Sequence, residues 1–433
     1  MSFKAPRGTA DILPDDQPYW RLVESAAIRT ATLFGYRRID TPVFEDTGLF
    51  QRGVGEDTDI VEKEMYTFGD RGGDSLTLKP EGTAPVCRAY LENGMASEPQ
   101  PVRLFYLTPI FRYDRPQAGR YRQHHQFGVE AIGDPSPAVD AEVIELGWSF
   151  ITGLGLRSLM LKLNSIGDRV CRPAYREALK RYFADHVNKM CRDCQSRFQR
   201  NPLRLLDCKN ETCQRYGDAA PKSVDYLCQP CSEHWQELNE HLAGLQETYP
   251  DLKPEVDHRL VRGLDYYTRT VFEIQPAREG RQSTLLGGGR YDGLIEQLGG
   301  QPTPGIGFGS GRERLILNLR REEVAASPDP AIALVAVHVG ETARRRAYQV
   351  VTRLRASGIS AVLAPPGRSL KGQMRFADTS GAGHVLILGD RELERGVGTL
   401  KTLTPSKGIE DQREVQLDAG SITAAIGNKP ASR

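Results

Sequence analysis

Polar and apolar positions alternate most regularly in RLFYLTPIFRYDRPQAGRYRQHHQFGVEAIG, residues 103–133. The pattern predicts two strands joined by a short basic loop, with successive side chains on opposite faces. On the second strand Arg122, His124, Gln126, Gly128 and Glu130 share one face; Gln123, His125, Phe127, Val129 and Ala131 share the other. Gly128 is expected to leave a gap there through which a ligand approaches the backbone. On the first strand Leu104, Tyr106, Thr108 and Ile110 form a mostly apolar face that Arg112 extends at its loop end, and Arg115, Arg120 and Arg122 follow. A guanidinium grips phosphate or carboxylate through paired hydrogen bonds. The hairpin is therefore expected to hold a ligand with an anionic part near the loop and a polar part deeper in; a surface hairpin with solvated charges is the competing reading.

The rest of the chain divides into further elements. Asp16 is placed to cap a helix with Pro18 in its first turn and Trp20, Val23, Ala27, Thr30 and Phe34 at helical spacing until Gly35. GYRRIDTPVFED reads as a strand stopped by Pro42, and Ser75 to Lys79 as another. Pro80 to Thr83 lead into a helix with Pro85 in its first turn and Asn93-Gly94 at its end. Helices are expected from about Gly167 to Pro254, and EEVAASPDP, residues 322–330, reads as a linker. Beyond it come IALVAVHV, a helix from Glu341 to Ala356, SAVLAP, a helix from Ser369 to Ser380, HVLILG and TLKTLT. That alternation implies an α/β domain of about 100 residues.

A chain of 433 residues exceeds one usual core, so two or three domains are expected. Charged residues are 26% of the chain and nearly cancel, to a formal +1, so any nucleic acid must be met by local patches. The start, MSFKAPRGTADILPDD, lacks an apolar signal core, and no apolar run reaches the roughly 18 residues that a bilayer span needs. A soluble, cytoplasmic protein without a membrane partner is expected. Six of the eight cysteines are ordered as Cys191-x2-Cys194, Cys208-x4-Cys213 and Cys228-x2-Cys231. In a reducing compartment such pairs are candidate ligands of a structural zinc. The spacing does not choose between four ligands and six, or between a metal and free thiols.

Three more segments carry chemistry. In LKPEGTAPVCRAY, Glu81 and Thr83 stand at a strand-to-helix turn where a carboxylate and a hydroxyl can hold an ammonium group, with Gly82 permitting close approach; a plain helix cap by Thr83 fits as well. In LVRGLDYYTRTVFEI, Arg262 precedes a turn, and the phenols of Tyr266 and Tyr267 can line a pocket for a flat polar group or simply join the core. In PGIGFGSGRERLILNL, Gly305, Gly307, Gly309 and Gly311 bare one strand face on which a planar ring can lie. Ser310 and Glu313 are spaced as a capping box, which would place Arg314 in the first turn of a helix whose N-terminus favours phosphate. Nucleotide binding is expected there, without the GxxxxGK[ST] loop of a P-loop ATPase.

Together these segments resemble the class II aminoacyl-tRNA synthetases. Arg112 falls in a motif-2-like strand–loop–strand, Arg314 ends a motif-3-like GxGxGxER, and GYRRIDTPVFED with Pro42 is similar to motif 1, which forms a dimer interface. PEGTA, FRYDRPQAGRYRQHHQFGVE, RGLDYYTRTVFE and GGGRYDGL are similar to the histidyl-tRNA synthetases in particular. The resemblance spans essentially the whole chain. It implies a multidomain α/β and α+β fold: an antiparallel-sheet catalytic domain over residues 1–325, with a Cys-rich helical insertion at about 171–254 against the tRNA acceptor arm. A linker at 326–331, an anticodon-binding α/β domain at 332–428 and a tail at 429–433 would follow.

The resemblance also implies roles. Glu81, Gly82 and Thr83 would hold the α-amino group of L-histidine, Gln126 would contact the amino-acid portion, and Glu130, Tyr266, Tyr267 and Tyr291 would surround the imidazole. Arg112 and Arg262 would flank the α-phosphate of ATP, with Arg120, Gly309, Gly311 and Arg314 completing the nucleotide site and Mg2+ bridging the β- and γ-phosphates. The implied reaction is activation of histidine to histidyl-adenylate and its transfer to the 3′ end of histidine tRNA by a homodimer. Lys79 stands where arginine is common, and Asp114 where glutamate is. A non-catalytic regulatory subunit of ATP phosphoribosyltransferase is the alternative; the three arginines and the C-terminal domain weigh against it.

Overall fold

The computed structural model describes residues 3–55, 58, 60–115, 119–277, 284–328, 332–403 and 412–427. Part of the expected linker (329–331), the last residue of TLKTLT and the tail lie outside them. The chain forms two compact units, Met1–Ala326 and Ser327–Arg433.

The first unit is built on an eight-stranded sheet. Across it lie Arg37–Arg38, Val102–Phe111, Gln123–Ile132, Gly305–Gly311, Leu286–Arg290, Thr268–Pro276, Leu159–Ser165 and Pro254–Val256. The two edge pairs are parallel and all pairs between them antiparallel. The expected hairpin is its centre, with Thr108 opposite Gln126 and Leu104 opposite Glu130. Its parity is as the alternation predicts. Phe105, Phe127, Val129 and Ala131 face an apolar core with Phe272, Ile274, Ile306 and Phe308, closed by the helices Gln17–Leu33, Pro137–Gly153 and Arg312–Arg321. The opposite face carries Glu130, Gln126 and the tyrosines, behind the helix Thr83–Glu92.

Several local expectations are corrected. GYRRIDTPVFED is two strands: Arg37–Arg38 joins the large sheet, whereas Phe44–Asp46 pairs with Ser75–Leu78 in a separate three-stranded sheet with Tyr66–Gly69. Buried Lys79 ties the break in place, its Nζ donating to the carbonyl and hydroxyl of Thr41 at 3.1 Å each. Asp16 does not cap the first helix, because a short 3-10 turn precedes it and Asp16 is already in helical conformation. Its carboxylate pairs with Arg320 instead. The capping box of Ser310 and Glu313 does not form either. The strand runs on to Gly311, so the helix begins at Arg312 and the box loses its register. Ser310 donates to the Leu285 carbonyl at 2.8 Å, and Glu313 accepts from the backbone N–H of His125.

The cysteine-bearing region is helical, as expected, with Arg172–Ala184, Arg192–Arg200, Glu211–Asp218 and Gln229–Leu245. The first three surround their own apolar cluster of Tyr175, Leu179, Phe183, Leu205 and Leu206. The last buries Leu238 and Leu242 in the core of the main sheet. The second unit is a five-stranded mixed sheet in the order Ala361–Leu363, Leu334–His338, His384–Leu388, Val397–Thr402, Gln412–Gln416, with helices Glu341–Ala356, Leu370–Thr379 and Ala419–Ile426. Its last strand and last helix lie beyond the elements expected from the alternation.

Candidate active site

Along the return strand, period-two geometry aims Glu130, Gln126 and His124 the same way. Glu130 is wholly buried and accepts three hydroxyl hydrogen bonds: from Thr83 at 2.9 Å and Tyr106 at 3.1 Å on Oε1, and from Tyr291 at 2.6 Å on Oε2. Burial pushes its carboxyl up to about 8, against the pull of these donors and with the nearby Glu81 adding to the rise. Glu81 lies alongside, its Oε2 and Oε1 accepting the N–H groups of Thr83 at 2.7 Å and Ala84 at 2.8 Å. Glu81, not Thr83, therefore caps the helix Thr83–Glu92. Tyr266 donates to Glu81 at 3.4 Å and packs edge-on to Tyr291, while Tyr267 leans on Tyr266.

The glycines of this face serve the protein's own side chains. An added Cβ at Gly82 or Gly128 would run into the Tyr106 ring, at Gly305 into Tyr291, at Gly307 into Glu130 and at Gly309 into Gln126. Neither Gly82 nor Gly128 offers the expected approach to a ligand, because Tyr106 occupies both. On the glycine stripe only Gly311 has no neighbour within 4 Å among the described residues, so the bare face for a planar ring is confined to that end. Among the described residues the buried carbonyl oxygen of Gln126 has no hydrogen-bond partner.

Next to this nest opens a cleft of about 700 Å³, lined by Arg112, Arg120, His124, Arg262, Gly309, Gly311 and Arg314. Arg112 is anchored by Nε donating to the Pro80 carbonyl at 2.7 Å. Arg262 pairs with Glu273, which also accepts from Thr284 at 2.7 Å. Among the described residues the Arg262 Nε is a buried donor with no partner. Gly287 makes room for this guanidinium; a Cβ there would sit 2.5 Å from Nη1. Arg314 reaches the Thr284 carbonyl at 2.8 Å and that of Gly119 at 3.3 Å, and Arg120 pairs with Asp114 at 3.2 Å. Burial, then the facing Arg120, lowers the pKa of Arg314, and burial with Arg112, His125 and Arg314 holds His124 neutral, its pKa pulled down to about 3. Carboxylates, among them Asp114, Glu273 and Glu313, line the cleft too, so its arginines can meet an anion in company with a cation.

The expected nucleotide residues thus come together on the cleft, and Glu81, Thr83, Glu130, Tyr266, Tyr267 and Tyr291 in the nest beside it. Tyr106 and His124 were missed as site residues; both share the parity of residues singled out, which was the signal. Lys209, from the insertion, also lines the cleft. So does Cys191, but the six cysteines do not form one ligand set. Cys191, Cys194, Cys208 and Cys213 lie within 4.8 Å of one another, whereas Cys228 and Cys231 group with Cys171 and Asp168.

An antiparallel sheet carrying one arginine at the loop end of its central hairpin and another where the glycine strand turns into a helix defines a class II aminoacyl-tRNA synthetase core. A family profile described as Histidyl-tRNA synthetase matches residues 8–315, and one described as Anticodon binding domain matches 332–421. The Histidine--tRNA ligase of Dehalococcoides mccartyi strain 195 is 57% identical over 401 residues, 93% of this chain and 95% of that protein. That of Halothermothrix orenii is 49% identical over 410 residues, 95% and 97% of the two chains. The solved apo histidyl-tRNA synthetase of S. aureus is 38% identical, with a TM-score of 0.78 over 98% of this chain and 99% of that one. A solved ATP phosphoribosyltransferase regulatory subunit/histidyl-tRNA synthetase from Bacillus halodurans C is 22% identical, with a TM-score of 0.64 over 90% and 99%; that likeness is one of fold. The chain belongs to the histidyl-tRNA synthetase family, and its activity is that of a histidine–tRNA ligase. The regulatory alternative gains no support over it. Among the described residues no helix is long and apolar enough to cross a membrane.

Proposed function

We propose that the nest and the cleft divide one reaction between them: the nest holds L-histidine, and the cleft holds ATP bent over Arg314. Glu81 and Thr83 take the α-amino group, Gln126 the amino-acid portion, and Glu130 with Tyr266, Tyr267 and Tyr291 the imidazole. Tyr106 shapes the pocket by filling the space over Gly82 and Gly128. A pocket that pairs both ring nitrogens rejects apolar isosteres, which leave buried partners unmatched.

The histidine carboxylate then attacks the α-phosphorus in line, forming histidyl-adenylate and releasing pyrophosphate. Negative charge builds on the α-phosphoryl oxygens, where Arg112 and Arg262 are preorganised to receive it. Arg120, Arg314 and the backbone at Gly309 and Gly311 hold the rest of the nucleotide. Mg2+ carried in with ATP would supply neutralisation of phosphate charge beside these arginines. A 3′ terminal ribose hydroxyl of histidine tRNA then attacks the carbonyl carbon of the adenylate, the ester forms, and the bond to AMP breaks with AMP leaving. The insertion meets the acceptor arm and the C-terminal unit the anticodon, in a cytoplasmic homodimer paired through the stretch around Pro42. We also assign Cys191, Cys194, Cys208 and Cys213 to a structural zinc, since four thiols at this spacing suit tetrahedral coordination.

The observation that carries the catalytic reading is the unmet hydrogen-bonding capacity of Gln126 and Arg262, a buried acceptor beside the nest and a buried donor beside the cleft. A rapid-quench turnover with labelled histidine and ATP, without tRNA, tests it. Histidyl-adenylate should accumulate on the protein and fail to form in Arg112→Ala; absence of adenylate in the unaltered protein would overturn the reading.

A further inference from the structure

Asp168, Cys171, Cys228 and Cys231 bring a carboxylate oxygen and three thiols within 4.8 Å of one another. Cys171 stands immediately before the helix Arg172–Ala184, just beyond the sheet strand Leu159–Ser165, and Cys228 and Cys231 open the returning helix Gln229–Leu245. The four residues therefore lie at the entry and exit of the insertion. Asp168-x2-Cys171 repeats the spacing of Cys228-x2-Cys231 with oxygen in place of one sulfur.

The local backbone supports a shared purpose for the two Cys-x2-Cys pairs. Cys191 (φ −66°, ψ 159°) and Cys228 (φ −67°, ψ 163°) each precede a helix without capping it, and each places its second cysteine in the first turn. One module is used twice. Tetrahedral zinc with Zn–S near 2.3 Å and Zn–O near 2.0–2.2 Å places its sulfurs about 3.8 Å apart and its oxygen about 3.5 Å from them. The Asp168 Oδ1 lies 3.4 Å from Cys171 Sγ and 3.9 Å from Cys228 Sγ. Cys171 and Cys228 both set their thiols against this carboxylate, and the wholly buried Cys231 lies within 4.8 Å of it, so three thiols converge on one acid. Thiolates around a cation satisfy that arrangement better than neutral thiols do.

We propose that Asp168, Cys171, Cys228 and Cys231 bind one zinc ion, a structural centre distinct from the four-cysteine group. It clamps the neck of the insertion to the catalytic sheet. Its neighbour Arg172 donates to the carbonyls of Gly167 at 3.1 Å and Tyr267 at 2.5 Å, so the clamp also fixes the backbone behind the histidine nest.

The test is elemental analysis of the full-length protein, purified without added metal. About two zinc per chain are expected, falling to about one in Asp168→Ala and in the double variant Cys228→Ser/Cys231→Ser. Cys191→Ser/Cys194→Ser should keep the zinc of the neck. Asp168→Cys completes a four-sulfur set and should retain zinc longer against a chelator than the unaltered chain, which decides the matter if the serine variants fail to fold. Zinc content indifferent to Asp168 and Cys228, a Cys228–Cys231 disulfide in the native protein, or equal zinc retention in Asp168→Cys would each overturn the proposal.

Discussion

Tyr291 donates its hydroxyl to Glu130 at 2.6 Å although the two stand 161 residues apart, joining the turn after one sheet strand to the interior of another. The bond satisfies one of the two carboxylate oxygens of a group wholly removed from water; Thr83 and Tyr106 satisfy the other. Histidine bound against Glu130 would pair an imidazolium with the carboxylate, and losing a hydrogen bond between charged groups costs about 1.5–3 kcal/mol. Glu130→Gln is therefore expected to raise the KM for histidine about ten- to a hundredfold, with a much smaller effect on that for ATP. An equal effect on both substrates would contradict the assignment of Glu130 to the imidazole.

The same carboxyl gives histidine binding a pH signature. Pushed up to about 8, it carries a proton at neutral pH, whereas a free imidazole loses its proton near about 6.5. Between those values the separate partners hold one titratable proton between them, the number an imidazolium–carboxylate pair needs. Below that window binding must expel a proton, and above it binding must take one up. Affinity measured by calorimetry should be level across the window and fall on both sides. In Glu130→Gln the alkaline fall should shrink to whatever the α-amino group contributes; an unchanged alkaline limb would rule Glu130 out as its source.

Asp140 and Arg290 form a fully buried ion pair behind the nest. Asp140 also accepts from Thr270 at 2.5 Å and lies 2.9 Å from His234. Burial alone would raise the Asp140 pKa, but Arg290 and His234 outweigh it and hold the group below the usual carboxylate range. Its contribution to stability is thus present above about pH 4 and lost as the pH falls through the lowered value. Asp140→Ala leaves buried Arg290 with Asp292 and the carbonyls of Asp134 and Ser136 but without its main carboxylate, and should cost about 3–5 kcal/mol in a denaturant melt at neutral pH. Part of the acid-induced loss of stability should vanish with it. A melt unchanged by this substitution would mean that Arg290 finds other partners.

Removing the second unit separates the two halves of the function. Tyr19 donates to the Val324 carbonyl at 3.1 Å and the Val324 side chain packs on the core, so the cut belongs after Ala326. The truncated chain should form adenylate at near the intact rate while charging tRNA far more slowly. Equal charging by the two forms would remove the anticodon contact from the second unit.

What the sequence disclosed follows from how local the cause is. Strand parity is set by neighbours two residues apart, so the shared face of Gln126 and Glu130 and the core face of Phe127 and Val129 were legible. Arg112, Arg262 and Arg314 were legible through short motifs. The glycine stripe was visible but its purpose was not, because whether Gly307 receives a substrate ring or the Glu130 side chain depends on a strand paired from 177 residues away in the chain. Tyr106 looked like one more apolar residue for the same reason. The Asp140 network joins elements 94 to 150 residues apart, and Asp168 joins Cys228 across 60, distances over which no periodicity carries information.

Arg262 and Arg112 are expected to stabilise charge on the α-phosphate while Gln126 and Glu130 hold the attacking histidine. Histidine-dependent exchange of labelled pyrophosphate into ATP measures that step alone. Exchange is expected with histidine and not with other amino acids, and Arg262→Ala should slow it about 10²–10³-fold, the usual effect of removing one preorganised donor from a developing oxyanion. Full exchange activity in Arg262→Ala, or none in the unaltered protein, would contradict the account.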